Sequence, residues 1–192
     1  MIGSWFTYMI TRQRWSVLTV GILNQAAKYM PKVYDDFLPK EVWQPIKDDI
    51  CGSKFPWHWS DSVLRNNTML CHETYNFQFF NVLYANNLKQ SDKLFVFAPV
   101  LDALEIRSLV RVKANLNVRT DMLVKHGFHT DFKGMTTSIF YCNTNDGFTE
   151  FEDGSTIESV ENRLVTFPSD MRHTGTTCTN TKNRIVVNIN YF

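Results

Sequence analysis

The chain has 192 residues, which fits one domain with or without an appendage, and its 20 basic and 19 acidic side chains give a formal net charge of +1. No basic run is dense enough to follow a phosphate backbone, so the composition argues against nucleic acid as the default partner. The 4 cysteines are widely spaced and form no Cys-x-x-Cys pair, which argues against structural zinc and a disulfide framework and favours a reducing, cytoplasmic setting.

Residues 1–30 differ from the rest of the chain. An apolar stretch at 15–23 is too short to span a bilayer, and no small-residue cleavage site follows it, so we expect neither a membrane partner nor a signal peptide. Helical spacing in this segment predicts an amphipathic helix that packs on the domain or on a partner, and a dispensable extension fits equally. The apolar positions that recur at this spacing are Trp15, Leu18, Ile22 and Ala26. We therefore divide the chain into an N-terminal segment, 1–30, and a domain, 31–192.

The sequence pattern of residues 32–109 predicts short strands and helices in alternation. Residues 32–38 predict a short strand, and an apolar stripe over 40–50 predicts a helix that begins just after Pro39. Residues 60–76 lack periodic apolar positions and predict a loop that could serve as a lid. Periodicity does not decide between strand and buried helix for 77–84 and 94–100, whereas helical spacing extends over 99–109.

From residue 108 onwards, short apolar segments alternate with turn signals such as Asp153-Gly154. Eight candidate strands follow one another without a repeat period: 108–117, 123–132, 135–142, 148–151, 156–160, 164–167, 175–178 and 183–192. This pattern predicts a mainly β fold with flanking helices and an antiparallel double sheet, jelly-roll or cupin-like, at its core. The helices would cover one sheet from outside.

The last of these strands has one apolar and one polar face. Successive side chains alternate between the faces of a strand. One face of this strand therefore carries Ile185, Val187, Ile189 and Tyr191, and the other carries Arg184, Val186, Asn188 and Asn190. The same parity groups Thr137, Ile139, Tyr141 and Asn143 on one strand, and Lys113, Asn115 and Asn117 on another. Burying these polar groups without partners would cost roughly 1 to 3 kcal/mol each, so they should face solvent or bind a ligand.

A histidine and a carboxylate alternate in His129-Thr130-Asp131, and extended backbone would place both side chains on one surface. Together with His173 they make two imidazoles and one carboxylate, the ligand set of non-haem Fe(II) oxygenases. Arg184 beside such a metal indicates a co-substrate that carries a carboxylate. Because a His-x-Asp occurs somewhere by chance with odds of roughly one in three, the hypothesis depends on the order and context of all four residues.

These residues resemble the Fe(II)- and 2-oxoglutarate-dependent oxygenases, in particular the prolyl-hydroxylase-like branch. The resemblance covers residues 108–192 well and 33–57 loosely, and its small size and layout are similar to those of phage-encoded members. It includes the following matching pieces: His129-Thr130-Asp131, 136–143, 162–167, His173 and 184–192. The resemblance implies a double-stranded β-helix fold and, for a virally encoded protein, a location in the host cytoplasm.

The resemblance also implies roles for individual side chains. His129, Asp131 and His173 would be the catalytic iron ligands. Arg184 would pair with the distal carboxylate of 2-oxoglutarate, and the Tyr141 hydroxyl would donate a hydrogen bond to it. Asn117 stands where many relatives have a tyrosine, so it either contacts the co-substrate or lines the cavity.

The activity that the resemblance implies is hydroxylation of a C–H bond, with Fe(II) as cofactor, 2-oxoglutarate and O2 as co-substrates, and ascorbate as a reductant. The leading substrate is a prolyl or other amino-acid residue in a protein or peptide, and the co-products are succinate and CO2. One alternative is oxidation of nucleobases, although the demethylase branch carries a second arginine where this chain has Asn190. The other is a non-catalytic jelly-roll module in which His129 and His173 pack or bind zinc.

Overall fold

The computed structural model describes residues 30–63 and 73–192. The helix predicted within 1–30 and the centre of the predicted 60–76 loop lie outside these residues, and the division at residue 30 stays a prediction. The described residues form two α-helices, α1 (Lys40–Ile50) and α2 (Ala98–Ala103), and two 3-10 turns, Glu73–Tyr75 and Asp92–Phe97. Their eleven strands are β1 (Lys32–Tyr34), β2 (His58–Ser60), β3 (Gln78–Ala85), β4 (Leu88–Lys89), β5 (Leu109–Val118), β6 (Thr136–Tyr141), β7 (Phe148–Phe151), β8 (Thr156–Glu158), β9 (Arg163–Pro168), β10 (His173–Gly175) and β11 (Asn183–Tyr191).

These strands form two antiparallel sheets within the described part of the chain. The larger has eight strands in the order β1-β9-β6-β11-β5-β3-β2, with β4 paired to β3. The smaller has three strands in the order β10-β7-β8. The non-sequential strand order and the facing sheets confirm the predicted mainly β fold with a double-stranded β-helix core.

Two apolar cores hold the layers together, and alternate residues along a strand belong to one core or to the other. The first lies between the large sheet and the helices, where Trp43 and Ile46 of α1 pack with Ile185, Val187 and Ile189 of β11. The second lies between the sheets and joins Phe151 of the small sheet to large-sheet residues. Its large-sheet members are Ile139, Tyr141, Val165, Phe167 and Val186. The predicted alternation along the last strand is therefore confirmed.

Some predicted elements are wrong. Residues 123–132 do not form a strand but a loop with two isolated bridges, Lys125 to Thr176 and His129 to His173. This segment has no unbroken β-branched or alternating run, and Gly127 interrupts it, so local propensity alone does not hold a ladder there. The strand predicted at 175–178 is shifted to β10, and the helix predicted over 99–109 ends at Ala103.

Two further expectations concern the setting of the protein. Cys51, Cys142 and Cys178 are free thiols, and Cys71 lies outside the described residues. No helix among residues 30–63 and 73–192 is long and apolar enough to cross a membrane.

Candidate active site

The polar faces of β5 and β11 line a cavity of about 300 Å³ between the sheets. The cavity is lined by all four residues that the sequence analysis combined into one site, namely His129, Asp131, His173 and Arg184. The three candidate ligands offer donor atoms that all lie within 4.8 Å of one another. The sequence therefore brings together two imidazoles, one carboxylate and a guanidinium in one cavity, as predicted.

Backbone pairing places the two imidazoles side by side. His129 and His173 exchange two backbone hydrogen bonds, each with an N···O distance of 2.9 Å, and their ring centroids are 4.6 Å apart. The Asp131 amide donates to the Ser169 carbonyl, which continues the pairing for one residue pair. An isolated bridge thus does the positioning that we expected from a regular strand.

Each imidazole has its Nδ1 next to a backbone carbonyl oxygen. Nδ1 of His129 lies 3.2 Å from the Gly127 carbonyl oxygen, and Nδ1 of His173 lies 3.0 Å from that of Met171. Since a carbonyl can only accept, each Nδ1 donates to it, and in the neutral ring this tautomer puts the lone pair on Nε2. Nε2 of His173 is buried and has no hydrogen-bond partner among the described residues, as expected of a metal ligand.

The Asp131 carboxylate is held in its ionised form by three neighbours. Oδ1 accepts from Arg111 Nη2 at 2.9 Å, and Oδ2 accepts from Thr137 Oγ1 at 3.1 Å and Asn190 Nδ2 at 3.0 Å. Burial alone would raise the pKa of Asp131, but the Arg111 charge, the imidazoles and the Asn190 hydrogen bond lower it overall. Three donors use three of the roughly four acceptor positions of a carboxylate, so one remains for a cation.

These protonation states suit a divalent metal ion. Burial, followed by the neighbouring His173, lowers the pKa of His129, so its ring is neutral at neutral pH. Two neutral imidazoles and one carboxylate are the donors of the facial triad that binds Fe(II) and leaves open coordination positions. The side chains present therefore fit the predicted ion.

Arg184 is a buried cation without a carboxylate partner in the described part of the chain. Its Nε donates to Ser159 Oγ at 2.7 Å and its Nη2 donates to Thr149 Oγ1 at 3.2 Å, while the guanidinium carbon lies 5.7 Å from the centre of the Tyr141 ring. Burial lowers the pKa of Arg184. Because a buried charge without a counter-ion is costly, this guanidinium is well suited to bind an anion.

Tyr141 has a different environment from the one expected. It is fully buried and does not line the cavity, and its hydroxyl donates to Thr149 Oγ1 at 2.8 Å. A buried hydroxyl needs a partner, and Thr149 satisfies it. The predicted hydrogen bond from the Tyr141 hydroxyl to the co-substrate stays a prediction. Thr149 itself lines the cavity, and its Oγ1 accepts twice, which leaves its own proton available to a ligand.

Asn117 lines the cavity and pairs across the sheet with Arg184. Its Nδ2 lies 3.2 Å from Nε2 of His126, which also lines the cavity. Asn117 therefore lines the cavity, which is one of the two predicted alternatives. Contact with the co-substrate stays a prediction.

Buried His126 should make stability depend on pH. Burial, with smaller effects of Arg184 and His129, lowers its pKa from 6.5 to about 4. The unfolded chain then binds the proton more readily between these values, so this contribution is complete above pH 6.5 and is lost as pH falls toward 4, by about 3 kcal/mol in total. We expect the free energy of unfolding in urea to fall less between pH 7 and pH 4.5 for His126→Gln than for the wild type. An equal fall in the two proteins would contradict this assignment.

The sequence analysis missed several residues around the site. Arg111 and Thr149 carry no motif, although Arg111 shares the parity of the polar positions on β5 and could have been found by extending that pattern. Ser159 gave no signal, because its role depends on a contact with a strand 25 residues away in sequence.

Comparison with known proteins supports the fold. No protein-family model and no curated protein sequence matches this chain. Among solved structures, a prolyl hydroxylase from Trichoplax adhaerens in complex with a peptide fragment of the hypoxia inducible factor oxygen degradation domain is similar with a TM-score of 0.59 at 12% identity, over 95% of this chain and 92% of that chain. The chain shares the fold of the 2-oxoglutarate oxygenases.

Two other structures agree with this double-stranded β-helix fold. A prolyl-4-hydroxylase from Pseudomonas putida matches with a TM-score of 0.55 at 14% identity, over 90% of this chain and 97% of that chain. A 2OG-Fe(II) oxygenase family member from Burkholderia pseudomallei matches with a TM-score of 0.55 at 9% identity, over 87% and 86%. At these identities the likeness establishes the fold alone.

Proposed function

We propose that the protein is an Fe(II)- and 2-oxoglutarate-dependent dioxygenase that hydroxylates a C–H bond and releases succinate and CO2. The observation that carries the proposal is the convergence of His129, Asp131 and His173 within 4.8 Å in a cavity that also contains buried Arg184. Iron, 2-oxoglutarate and O2 together supply the oxidising power when bound, with ascorbate as an optional reductant.

The side chains have separate tasks in this proposal. Nε2 of each histidine and one Asp131 oxygen hold the ion, while Arg111 and Asn190 fix the carboxylate. Arg184 binds the distal carboxylate of 2-oxoglutarate, and Thr149 donates its free proton to the same group. The remaining tasks of the cavity are to orient the substrate and to exclude water. Neither task requires a second acid or base.

The proposed substrate is an amino-acid residue, of prolyl type or another, in a protein or peptide. Support comes from the fold, because two of the similar structures are prolyl hydroxylases and one of them holds a peptide fragment. A cytoplasmic location, in the host cell for a virally encoded protein, is part of the same proposal, since the described thiols are free.

The alternatives have less support. In nucleobase oxidation a second arginine would be expected at position 190, but Asn190 donates to Asp131 and thus serves the candidate iron ligand. In a non-catalytic module there would be no ligand to compensate the buried charge of Arg184, which has no carboxylate partner among the described residues and lines the same cavity as His129 and His173.

The proposal is tested by exposing peptides from a cell lysate to the iron-loaded protein with 2-oxoglutarate, ascorbate and O2. We expect succinate to form and mass spectrometry to find peptides heavier by one oxygen atom, and we expect neither with His173→Ala. Equal amounts of succinate and oxidised peptides in the two samples, or none in either, would overturn the proposal.

A further inference from the structure

The cavity contains more positive charge than the iron site and co-substrate need. Among the residues that the structure describes, its charged lining side chains include three cations, Arg111, Lys113 and Arg184, but a single carboxylate, Asp131. Arg111 pairs with Asp131, and Arg184 is assigned to the co-substrate. Fe(II) and 2-oxoglutarate carry equal and opposite charges, so loading the site does not supply a counter-ion for Lys113.

Lys113 has no carboxylate partner among residues 30–63 and 73–192. Its Nζ lies 5.1 Å from the centre of the Phe80 ring, on the cavity side of β5. Burial, and then the charge of Arg111, lower its pKa to about 8 although the charge of Asp131 acts in the opposite direction, so the ammonium form is poorly hydrated and incompletely compensated. An anion bound here would regain much of that lost stabilisation.

Two amides flank Lys113 on the same face of the sheet. Asn188 on β11 pairs directly with Lys113 on β5, and Asn115 is the next residue on that face of β5. Both line the cavity, and Oδ1 of each is buried without a hydrogen-bond partner among the described residues. Asn115 is only 8% exposed, so its unpaired oxygen is costly until a donor reaches it.

We propose that Lys113, Asn115 and Asn188 form a substrate subsite that binds a carboxylate and the peptide N–H groups next to it. This inference rests on the proposed function and adds to it a substrate class: a peptide that presents a carboxylate beside the iron site. Lys113 pairs with the carboxylate, and the two Oδ1 atoms accept from N–H groups. A prolyl residue within a chain has neither an N–H nor a charge, so the residue that uses this subsite is a neighbour of the prolyl unit or replaces it.

The carboxylate has two possible sources with the same chemistry, an acidic side chain or the end of a peptide chain. N-acetyl-aspartate N-methylamide represents the first, because it carries one carboxylate between two amide N–H groups. N-acetyl-alanine represents the second, and N-acetyl-asparagine N-methylamide is the neutral control for the first. All three can be titrated calorimetrically into protein loaded with Zn(II), which replaces iron without turnover, and saturated with 2-oxoglutarate, so that Arg184 is already occupied.

We expect at least one carboxylate probe to bind about tenfold or more tightly than the neutral probe. The Lys113→Met variant should lose this preference, and Lys113→Arg should keep most of it. The matched control is Lys89→Met, because Lys89 is an exposed lysine paired with Asp92 and should leave the preference unchanged. Whichever carboxylate probe binds more tightly identifies the source.

Two results would overturn the inference. One is equal affinity of the wild type for charged and neutral probes, and the other is a preference that persists in Lys113→Met. The titration of 2-oxoglutarate into the Zn(II)-loaded protein is measured first, because it distinguishes failure of the subsite from failure of the proposed function. If 2-oxoglutarate binds and the probes do not discriminate, the subsite fails alone, whereas absence of 2-oxoglutarate binding contradicts the proposed function and the subsite with it.

Discussion

The His129→Ala variant is expected to lose succinate formation by more than about 100-fold, since removal of a direct ligand should exceed the 10- to 100-fold cost of losing an outer-shell contact. In the proposed site Nε2 of His129 is one of three protein ligands, and the two that remain in the variant would not complete the facial triad. The same variant should lose the stabilisation that Fe(II) gives the native state, which for the wild type reaches about 2.7 kcal/mol at an ion concentration 100 times the Kd. Anaerobic thermal unfolding with and without Fe(II) measures this difference.

His58→Ala is the matched control for the loss of a histidine. His58 lies exposed on the edge strand β2 and is not among the residues that line the cavity. Its removal should leave succinate formation unchanged, and also the shift that Fe(II) causes in the midpoint temperature of thermal unfolding. Turnover that survives in His129→Ala, or disappears equally in His58→Ala, would contradict the assignment of the ligands.

Replacing Arg184 with methionine is expected to weaken 2-oxoglutarate binding about 100-fold or more, which corresponds to roughly 3 kcal/mol of charge-assisted hydrogen bonding. The stability of the protein without ligand should be maintained or raised, because the variant removes a buried charge that no carboxylate compensates in the described residues. A residue that served only the fold would show the opposite pattern. Calorimetric titration of 2-oxoglutarate into the Zn(II)-loaded variant and urea unfolding of the unliganded variant measure the two effects.

Arg163→Met provides the comparison for this second variant. Arg163 is a partly exposed arginine that pairs with Asp35 and is not among the residues that line the cavity. Its replacement should keep the wild-type affinity for 2-oxoglutarate. A loss of affinity in Arg163→Met, or an Arg184→Met protein that binds 2-oxoglutarate normally, would show that Arg184 does not bind the co-substrate.

The sequence was most informative where strand parity separates two environments. On β11 the apolar positions pack against the helices while Arg184, Val186 and Asn188 line the cavity. A one-residue shift would exchange these faces, so the pattern specifies the register strongly. The same reasoning on β5 placed Lys113, Asn115 and Asn117 together, and all three line the cavity.

The sequence was least informative where long-range pairing decides local structure. The segment that contains His129 is predicted as a strand, but its conformation depends on backbone hydrogen bonds to His173 and Ser169. The periodicity of a single segment does not include such distant partners. The expected alignment of His129 and Asp131 nevertheless occurs, because the bridge supplies the extended backbone at these positions.

Interactions between side chains of distant strands were also beyond sequence reasoning. The position of the Asp131 carboxylate depends on Arg111 and Asn190, which lie 20 and 59 residues away in sequence. The hydrogen bond from the Tyr141 hydroxyl to Thr149 Oγ1, which joins two strands, also gave no signal in the sequence. The unpaired charge of Lys113 likewise becomes visible only when its neighbours in space are known.

The most direct test is anomalous diffraction at the iron absorption edge from crystals grown without oxygen in the presence of Fe(II) and 2-oxoglutarate. We predict one strong peak at bonding distance from Nε2 of His129, Nε2 of His173 and one oxygen of Asp131, with the density of 2-oxoglutarate extending from that peak to the Arg184 guanidinium. A peak that lies elsewhere, or crystals that bind neither ion nor 2-oxoglutarate in this cavity, would contradict the account.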